Sequence, residues 1–319
     1  MTGLGHILVG QSAITAGQAL AVVTGRPHSS VDALVVGLRV PRFVIGATSG
    51  LALGSAGAAL QASLRNPLAE PGMLGISSGA ALGVVLTTGV GIAEGQPVVL
   101  LAAAVGGLCA VGLIALTVRG RWNDSGLIAL SGVLIGSILT AVVLGVLALT
   151  GRPIGDVLRW LVGSVNARTL DDVPPIAALT IAGLLIVLSQ TRPLSALRLG
   201  PAMASTLGAN HKRARALAMI GAIVLSVGGV IGVGAVMFIG LIGPQIARRV
   251  TRSTHPGVLI LAGGLVAAAI LPAADLIAEQ ATLILPGTGS VTGLPVGAVI
   301  APLSVPVLLW LLNARKQAA

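Results

Sequence analysis

Few side chains in this 319-residue chain could carry out acid–base, nucleophilic or metal chemistry. It contains nine acidic residues, four histidines and a single cysteine, Cys109. No group of histidines, cysteines and carboxylates has the spacing of a metal site. No Gly-x-x-x-x-Gly-Lys-Ser/Thr loop is present to hold nucleotide phosphates. We therefore predict no catalytic residue, no metal site and no cofactor bound by this chain.

The densest group of polar residues lies between two apolar runs, in LQASLRNPLAEPGMLGISSGAALG, residues 60–83. Pro67 and Pro71 each remove a backbone donor and disfavour helix in the preceding residue, so they predict the end of one helix and the start of another. Gln61 and Asn66 can satisfy the backbone groups that such a break exposes, which matters where water is scarce. With Arg65 at the lipid head groups, these five residues predict a rigid corner.

The surrounding composition is that of a membrane protein. Hydrophobic residues make up 55% of the chain and charged residues 9%, with a mean hydropathy of +1.01, whereas soluble domains carry about 25% charged residues. The net charge of +10 could indicate nucleic acid, but two phenylalanines, three tryptophans and no tyrosine offer no stacking surface for bases. We predict the lipid bilayer as a partner and no nucleic acid.

Uncharged runs of about 20 residues predict the membrane spans. Ala216–Ala247 is too long for one straight helix and predicts a span, a turn and a short helix. Gln280–Ala314 predicts a loop and a last span, Pro295–Leu312. The fold predicted is an all-α, polytopic, single transmembrane domain over residues 1–319, with nine supported spans. The six simple runs are Phe43–Leu64, Gly72–Ala93, Pro97–Val118, Ser125–Gly151, Val173–Thr191 and Pro256–Ala274.

The first part of the chain does not resemble a normal span. The stretch HILVGQSAITAGQALAVVTG has polar residues scattered through it, which favours an amphipathic helix lying in the membrane interface. We therefore interpret residues 1–42 as an outer amphipathic helix and the lead-in to the first supported span.

Basic residues predict the orientation, because short cytoplasmic loops are rich in lysine and arginine. If the corner at residues 65–71 is cytoplasmic, thirteen of the nineteen basic residues also fall inside, and so does the C-terminus. They are Arg65, Arg119, Arg121, Arg192, Arg198, Lys212, Arg213, Arg215, Arg248, Arg249, Arg252, Arg315 and Lys316.

One cytoplasmic connection, residues 192–215, is longer than the others. It reads RPLSALRLGPAMASTLGANHKRAR and combines a short helix-forming stretch, ended by Gly208, with a basic cluster. Long connections with secondary structure of their own are often functional. A simple positive-inside anchor is the alternative, although an anchor needs only the charges.

Five blocks of the sequence, in order, resemble the permeases of the iron-siderophore and cobalamin importer family, the membrane subunits of type II ABC importers. The first is LRVPRFVIGATSGLALGSAGAALQASLRNPLAEPGMLGISSGAALG. It is followed by LRWLVGSVNARTLDDV, LGANHKRAR, MFIGLIGPQIARR and LPVGAVIAPLSVPVLLWLL. The resemblance covers nearly the whole chain and implies a fold of nine to ten transmembrane helices in the bacterial cytoplasmic membrane.

The resemblance also implies partners and a cargo. A second permease subunit would share the pathway, two ATP-binding subunits would use ATP and Mg to drive it, and an extracytoplasmic substrate-binding protein would deliver cargo. The expected cargo is a ferric siderophore, or a related chelate such as cobalamin or haem. Hydrolysis belongs to the ATP-binding subunits, so this chain would not itself be an enzyme.

Two contact sites follow from the resemblance. Arg39 and Arg42, at the outer mouth of the first supported span, would dock acidic residues of the binding protein; a snorkelling pair that anchors a helix end is the alternative. The long connection would act as a lever against the ATPase, and the corner at 65–71 could also contact that partner. The predicted coupling residues are Ser205, Leu207, Gly208, Ala209, Asn210, Lys212 and Arg213.

Membrane-depth polar residues are the candidates for the pathway. Ser131, Ser137 and Thr140 lie in one span and could line a weakly binding conduit, although helix-packing hydroxyls explain each one singly. Asp275 is an acid at the outer part of its span and is a functional candidate by default. A satisfied carboxylate at a helix end is an equal alternative.

The sequence also departs from the family. Gln245 stands where histidine is usual, Glu279 where arginine is usual, and Ser304 where glycine is usual. Such departures favour one half of a heterodimer over a homodimer. Two rival functions are a permease for free zinc or manganese ions and, less favoured, an ion-coupled secondary transporter, which would need buried acids or unwound helices near the midplane.

Overall fold

The computed structural model describes residues 37, 39–89, 95–121, 124–150, 161–166, 168–197, 211–284 and 294–316. Within these residues every regular element is helical, as the long uncharged runs predict. Two short 3-10 helices, Pro71–Leu74 and Leu170–Asp172, accompany ten α-helices. These are α1 (Val40–Leu64), α2 (Ile76–Gly89), α3 (Gln96–Val118), α4 (Ser125–Thr150), α5 (Val173–Ser189), α6 (Thr191–Leu197), α7 (His211–Val233), α8 (Ile239–Thr251), α9 (Pro256–Ile284) and α10 (Val296–Lys316).

Six of the described helical segments are long and apolar enough to cross a membrane. Helices α2 and α10 contain shorter apolar stretches, Ile76–Thr87 and Val296–Pro306. The six spanning segments are Val40–Leu64, Pro97–Val118, Gly126–Thr150, Leu170–Ser189, Arg213–Val233 and Pro256–Ala281.

The breaks between helices follow the glycines and prolines. The predicted division of residues 216–247 is confirmed, since α7 ends at Val233 and α8 begins at Ile239. The predicted run Gly72–Ala93 is wrong at its start. Pro71 opens a 3-10 turn that Gly75 ends with a φ of 61°, so the helix begins only at Ile76.

Helix α1 lies at the centre of the bundle, packed against α9, α7 and α8. Glycines allow the backbones to touch. Gly54 faces Gly263 and Gly264 of α9, and Gly57 lies directly against the backbone of Gly240 in α8. Close backbone approach through small residues is how helices associate in lipid, where burial of apolar side chains supplies little driving force.

Three helices end on an arginine in the left-handed conformation. Arg65, Arg119 and Arg252 follow α1, α3 and α8, with φ of 50°, 42° and 49°. This conformation costs a non-glycine residue about 1–2 kcal/mol. A cation at a helix C-terminus interacts favourably with the helix dipole, and all three belong to the basic residues predicted to face the cytoplasm.

The contact between Gly57 and Gly240 predicts opposite effects for two glycine-to-alanine substitutions. A Cβ at Gly57 would overlap the Gly240 carbonyl, so Gly57→Ala should lower the free energy of unfolding by about 1–3 kcal/mol. Gly112 has no atom within 4 Å of its would-be Cβ. Gly112→Ala should therefore raise helix stability by roughly 0.5–1 kcal/mol. Thermal unfolding in detergent measures both, and equal melting temperatures for the two variants would contradict this packing.

Candidate functional site

The predicted corner joins α1 to α2 through a short, ordered linker. After Leu64, Arg65 turns the chain in the left-handed conformation. The Asn66 side chain then accepts a hydrogen bond from the Leu68 N–H at 3.0 Å. Asn66 thus satisfies a backbone N–H of the linker itself, and Pro71 starts the following 3-10 turn.

A glutamine on α8 holds this corner in place. Gln245 Nε2 donates to the Pro67 carbonyl oxygen at 2.8 Å and lies 3.4 Å from Gln61 Oε1. Both glutamines are buried. Gln61 therefore contacts a side chain of α8, rather than the freed backbone that the sequence suggests for it. The corner and α8 form one connected unit.

Glu70 makes a second link from the corner, and the sequence reasoning missed it. This buried carboxylate accepts a hydrogen bond from the Phe238 N–H at 3.0 Å. Burial raises the pKa of Glu70 to about 7, although the hydrogen bond from Phe238 opposes the rise. Phe238 has a φ of 67° and lies at the break between α7 and α8. The only signal in the sequence was an acid next to Pro71 in a stretch whose other charge is basic.

The two arginines predicted to dock a binding protein lie at the start of α1. Arg42 donates from Nε and Nη2 to the two carboxylate oxygens of Asp275, at 2.9 Å each. Its Nη1 lies 3.4 Å from Glu279 Oε2. Arg39 is buried, with 8% of its surface exposed. The docking role stays a prediction, and Arg42 in addition joins α1 to α9.

The same ion pair accounts for Asp275, which the sequence left open between a functional acid and a satisfied carboxylate. The Asp275 side chain is only 3% exposed and meets a bidentate guanidinium, the strongest geometry for such a pair. Glu279 adds a second carboxylate to the same arginine. Arg42, Asp275 and Glu279 thus form a cluster at the end of α1 opposite to the corner.

The three predicted pathway residues do not share one face of α4. Ser131 is buried inside the chain, whereas Ser137 is exposed. Thr140 is half-buried; its hydroxyl donates to the Gly136 carbonyl at 2.8 Å and lies 3.0 Å from Ser78 Oγ, which can donate to it in turn. Only 17% of the most apolar stretch of α4 is buried within this chain. Ser137 is the one of the three that an outside partner could contact directly.

The predicted coupling residues Ser205, Leu207, Gly208, Ala209 and Asn210 lie outside the described residues, as does the predicted amphipathic helix at the start of the chain. The two helices on either side of this segment, α6 and α7, are described. Arg213 is exposed on the first turn of α7, and Lys212 has a helical backbone there.

The described contacts fix two helix breaks to each other and hold the opposite end of α1 against α9. Among the described residues, no group of three or more histidine, cysteine, aspartate or glutamate side chains is placed to hold a metal ion.

Comparison with known proteins agrees with this architecture. The sequence profile of the FecCD transport family matches residues 1–314. The chain belongs to the FecCD transport family. With six segments able to cross a membrane, this member of the FecCD family is a multi-pass transport protein of the cytoplasmic membrane, as the sequence predicts.

Relatives and a solved structure extend the match over the length of the chain. The cobalamin import system permease protein BtuC of Halobacterium salinarum is 32% identical over 311 residues, covering 96% of this chain and 80% of the relative. The ferric enterobactin transport system permease protein FepD of Escherichia coli is 31% identical over 315 residues, covering 98% and 91%. A solved structure described as an inward-facing metal-chelate type ABC transporter has the same fold, with a TM-score of 0.80 at 20% identity, over 98% and 95% of the two chains.

The burial of Glu70 predicts a pH-dependent stability. The pKa of Glu70 is about 7 in the folded protein, against an ordinary value of 4.5. Between pH 4.5 and 7 the folded protein therefore holds a proton that the unfolded chain has lost. The free energy of unfolding falls as the pH rises through this range. The full cost above pH 7 is roughly 3 kcal/mol. Glu70→Gln should remove this loss. Melting temperatures between pH 5 and 8 test it, with the exposed Asp171→Asn as control. A wild-type and a Glu70→Gln protein that change in parallel would contradict the assignment.

The ion pair at the other end of α1 predicts a large effect for Asp275→Asn. This substitution leaves the mostly buried Arg42 guanidinium without its bidentate partner and should cost about 3–5 kcal/mol of stability. Glu279→Gln should cost less, because its contact is longer, at 3.4 Å. Adding Arg42→Met to Asp275→Asn should restore much of the loss in thermal unfolding. Equal, small effects of both single substitutions would show that the pair carries no stability.

Proposed function

We propose that this chain is the pathway-forming permease subunit of an ATP-driven importer for a metal chelate, most specifically a ferric siderophore. The observation that carries the proposal is the family match over residues 1–314, together with relatives named as permeases for cobalamin and ferric enterobactin. Haem is a further chelate of the same class. We infer nine to ten spans, with α2, α8 and α10 among those beyond the six long ones.

The exposed face of α4 supports a second permease subunit. This helix exposes four large apolar side chains that the neighbouring helices of this chain do not cover: Leu130, Val133, Leu134 and Ile138. A pathway between two subunits would place Ser137 at its wall. The unusual residues Gln245 and Glu279 favour a partner of different sequence over a second copy.

Energy must then come from partner subunits. In the proposed assembly two ATP-binding subunits hold ATP and Mg on the cytoplasmic side, and an extracytoplasmic binding protein delivers the chelate. The segment Ser205–Arg213 is the proposed contact with the ATPase. Its flanking helices support this, because Leu194 of α6 packs with Ala218 of α7 and Ala62 of α1. A displacement of the segment would reach α1 beside the corner.

Uptake into membrane vesicles tests the function. Vesicles containing this chain and its partners should take up iron-labelled enterobactin, iron-labelled citrate or cobalamin only with ATP inside, and an ionophore should leave uptake unchanged. Uptake abolished by the ionophore and independent of ATP would contradict the proposal and favour a secondary transporter. Uptake of bare zinc or manganese, with no chelate transported, would favour the free-ion permease.

The coupling segment predicts a separation of two activities. Gly208→Trp should abolish chelate uptake while the assembled ATPase continues to hydrolyse ATP, because a bulky side chain would prevent the segment from seating against its partner. Gly200→Trp, in the same connection but outside Ser205–Arg213, is the matched control. Normal uptake by the Gly208 variant would remove this segment from the mechanism.

A further inference from the structure

A cavity of about 330 Å³ lies at the corner end of the bundle and has no role in the proposed transport cycle. It opens between the end of α1, helix α6, the end of α8 and the first turn of α9. The volume lies within the range of small-molecule sites, about 300–1,000 Å³. Its wall includes Gln61, Ala62, Arg65, Leu194 and Arg248.

The polar part of this wall is cationic. Arg65 and Arg248 both line the cavity, and none of its described lining residues is acidic. Arg215, on the first turns of α7, lies within electrostatic range of Arg65 and adds a third positive charge nearby. The cavity also includes Pro256, where the 29-residue helix α9 begins, and a helix N-terminus favours negative charge. The field in the cavity therefore attracts an anion.

A buried amide independently indicates a missing ligand. Gln61 lines the cavity and is only 5% exposed, yet its Nε2 has no hydrogen-bond partner. A buried donor without a partner costs about 1–3 kcal/mol, so native proteins rarely leave one unsatisfied. Its oxygen is already engaged by Gln245. What remains is a donor in need of an acceptor.

The rest of the wall is apolar. Ala58, Leu194 and Leu259 also line the cavity and are nearly fully buried, while Arg65 is exposed. Such a surface suits a ligand that carries both a phosphate and an organic group, such as the phosphoglycerol part of a lipid headgroup. Basic pockets between membrane helices on the cytoplasmic side are known to bind anionic headgroups of this kind.

We propose that this cavity binds a phosphate group, carried by the headgroup of an anionic phospholipid of the cytoplasmic leaflet. Arg65 and Arg248 contact the phosphate oxygens, and Gln61 Nε2 donates to an oxygen of the same headgroup. Leu194 and Ala62 line the cavity and also pack together where α6 meets α1. A bound headgroup therefore stabilises the position of α6, the helix that precedes residues 198–210.

Native mass spectrometry of the purified full-length chain tests the site. The chain is stripped of lipid in detergent and titrated with phosphatidylglycerol, with phosphatidylcholine and with inorganic phosphate. One phosphatidylglycerol should bind with preference over phosphatidylcholine. Arg248→Gln and Arg65→Gln should each weaken that binding roughly fivefold. Arg249→Gln is the matched control, because Arg249 is exposed on the same helix end and does not line the cavity.

A charge-neutral variant separates the cavity from general surface attraction. Ala62→Leu places a larger apolar side chain in the cavity and leaves every charge in place, so it should reduce the preference for phosphatidylglycerol in a protein whose melting shows that it is folded. Displacement of the lipid by inorganic phosphate, or binding of inorganic phosphate alone with the same response to the variants, supports the site and assigns soluble phosphate as its source. Equal binding of both lipids, or equal binding by all four variants, overturns the proposal.

Discussion

The fold depends on how closely the backbone of α1 can approach α8 and α9. Gly54 and Gly57 leave no side chain between these helices, so that the chain of α1 lies against Gly263, Gly264 and Gly240. In lipid this contact replaces the hydrophobic burial that stabilises soluble bundles. The close approach of α1 to α8 also brings polar atoms within hydrogen-bond distance. The Gln245 amide reaches the Pro67 carbonyl oxygen, and the Glu70 carboxylate accepts from the N–H of Phe238.

The helices were largely predictable, because hydropathy and helix-breaking residues are local signals. The predicted Phe43–Leu64 and Pro97–Val118 differ from α1 and α3 by a few residues at most, and glycines predicted the break after Val233. The start of α2 was not predictable from hydropathy. Gly72, Met73 and Leu74 are as apolar as a span, but Pro71 and Gly75 put them in a 3-10 turn.

The polar contacts were harder to predict, since they join residues far apart in sequence. Asp275 is 233 positions from Arg42, and nothing in its own helix indicates a cation opposite it. Glu279 looked like a lost positive charge, whereas it supplies Arg42 with a second carboxylate. The cavity beside Arg248 needs four elements to form, so no single stretch of sequence reveals it. The segment around Gly208 remains a prediction from the resemblance.

The whole account requires that the corner, the cavity and residues 192–215 share the cytoplasmic side. Helix α5 separates two exposed positions that report this directly, Asp171 before it and Arg192 after it. In a Cys109→Ser background, Arg192→Cys should react with a membrane-impermeant maleimide only in inside-out vesicles, and Asp171→Cys only in right-side-out vesicles. The reverse pattern would place the coupling segment outside the cell and contradict the account.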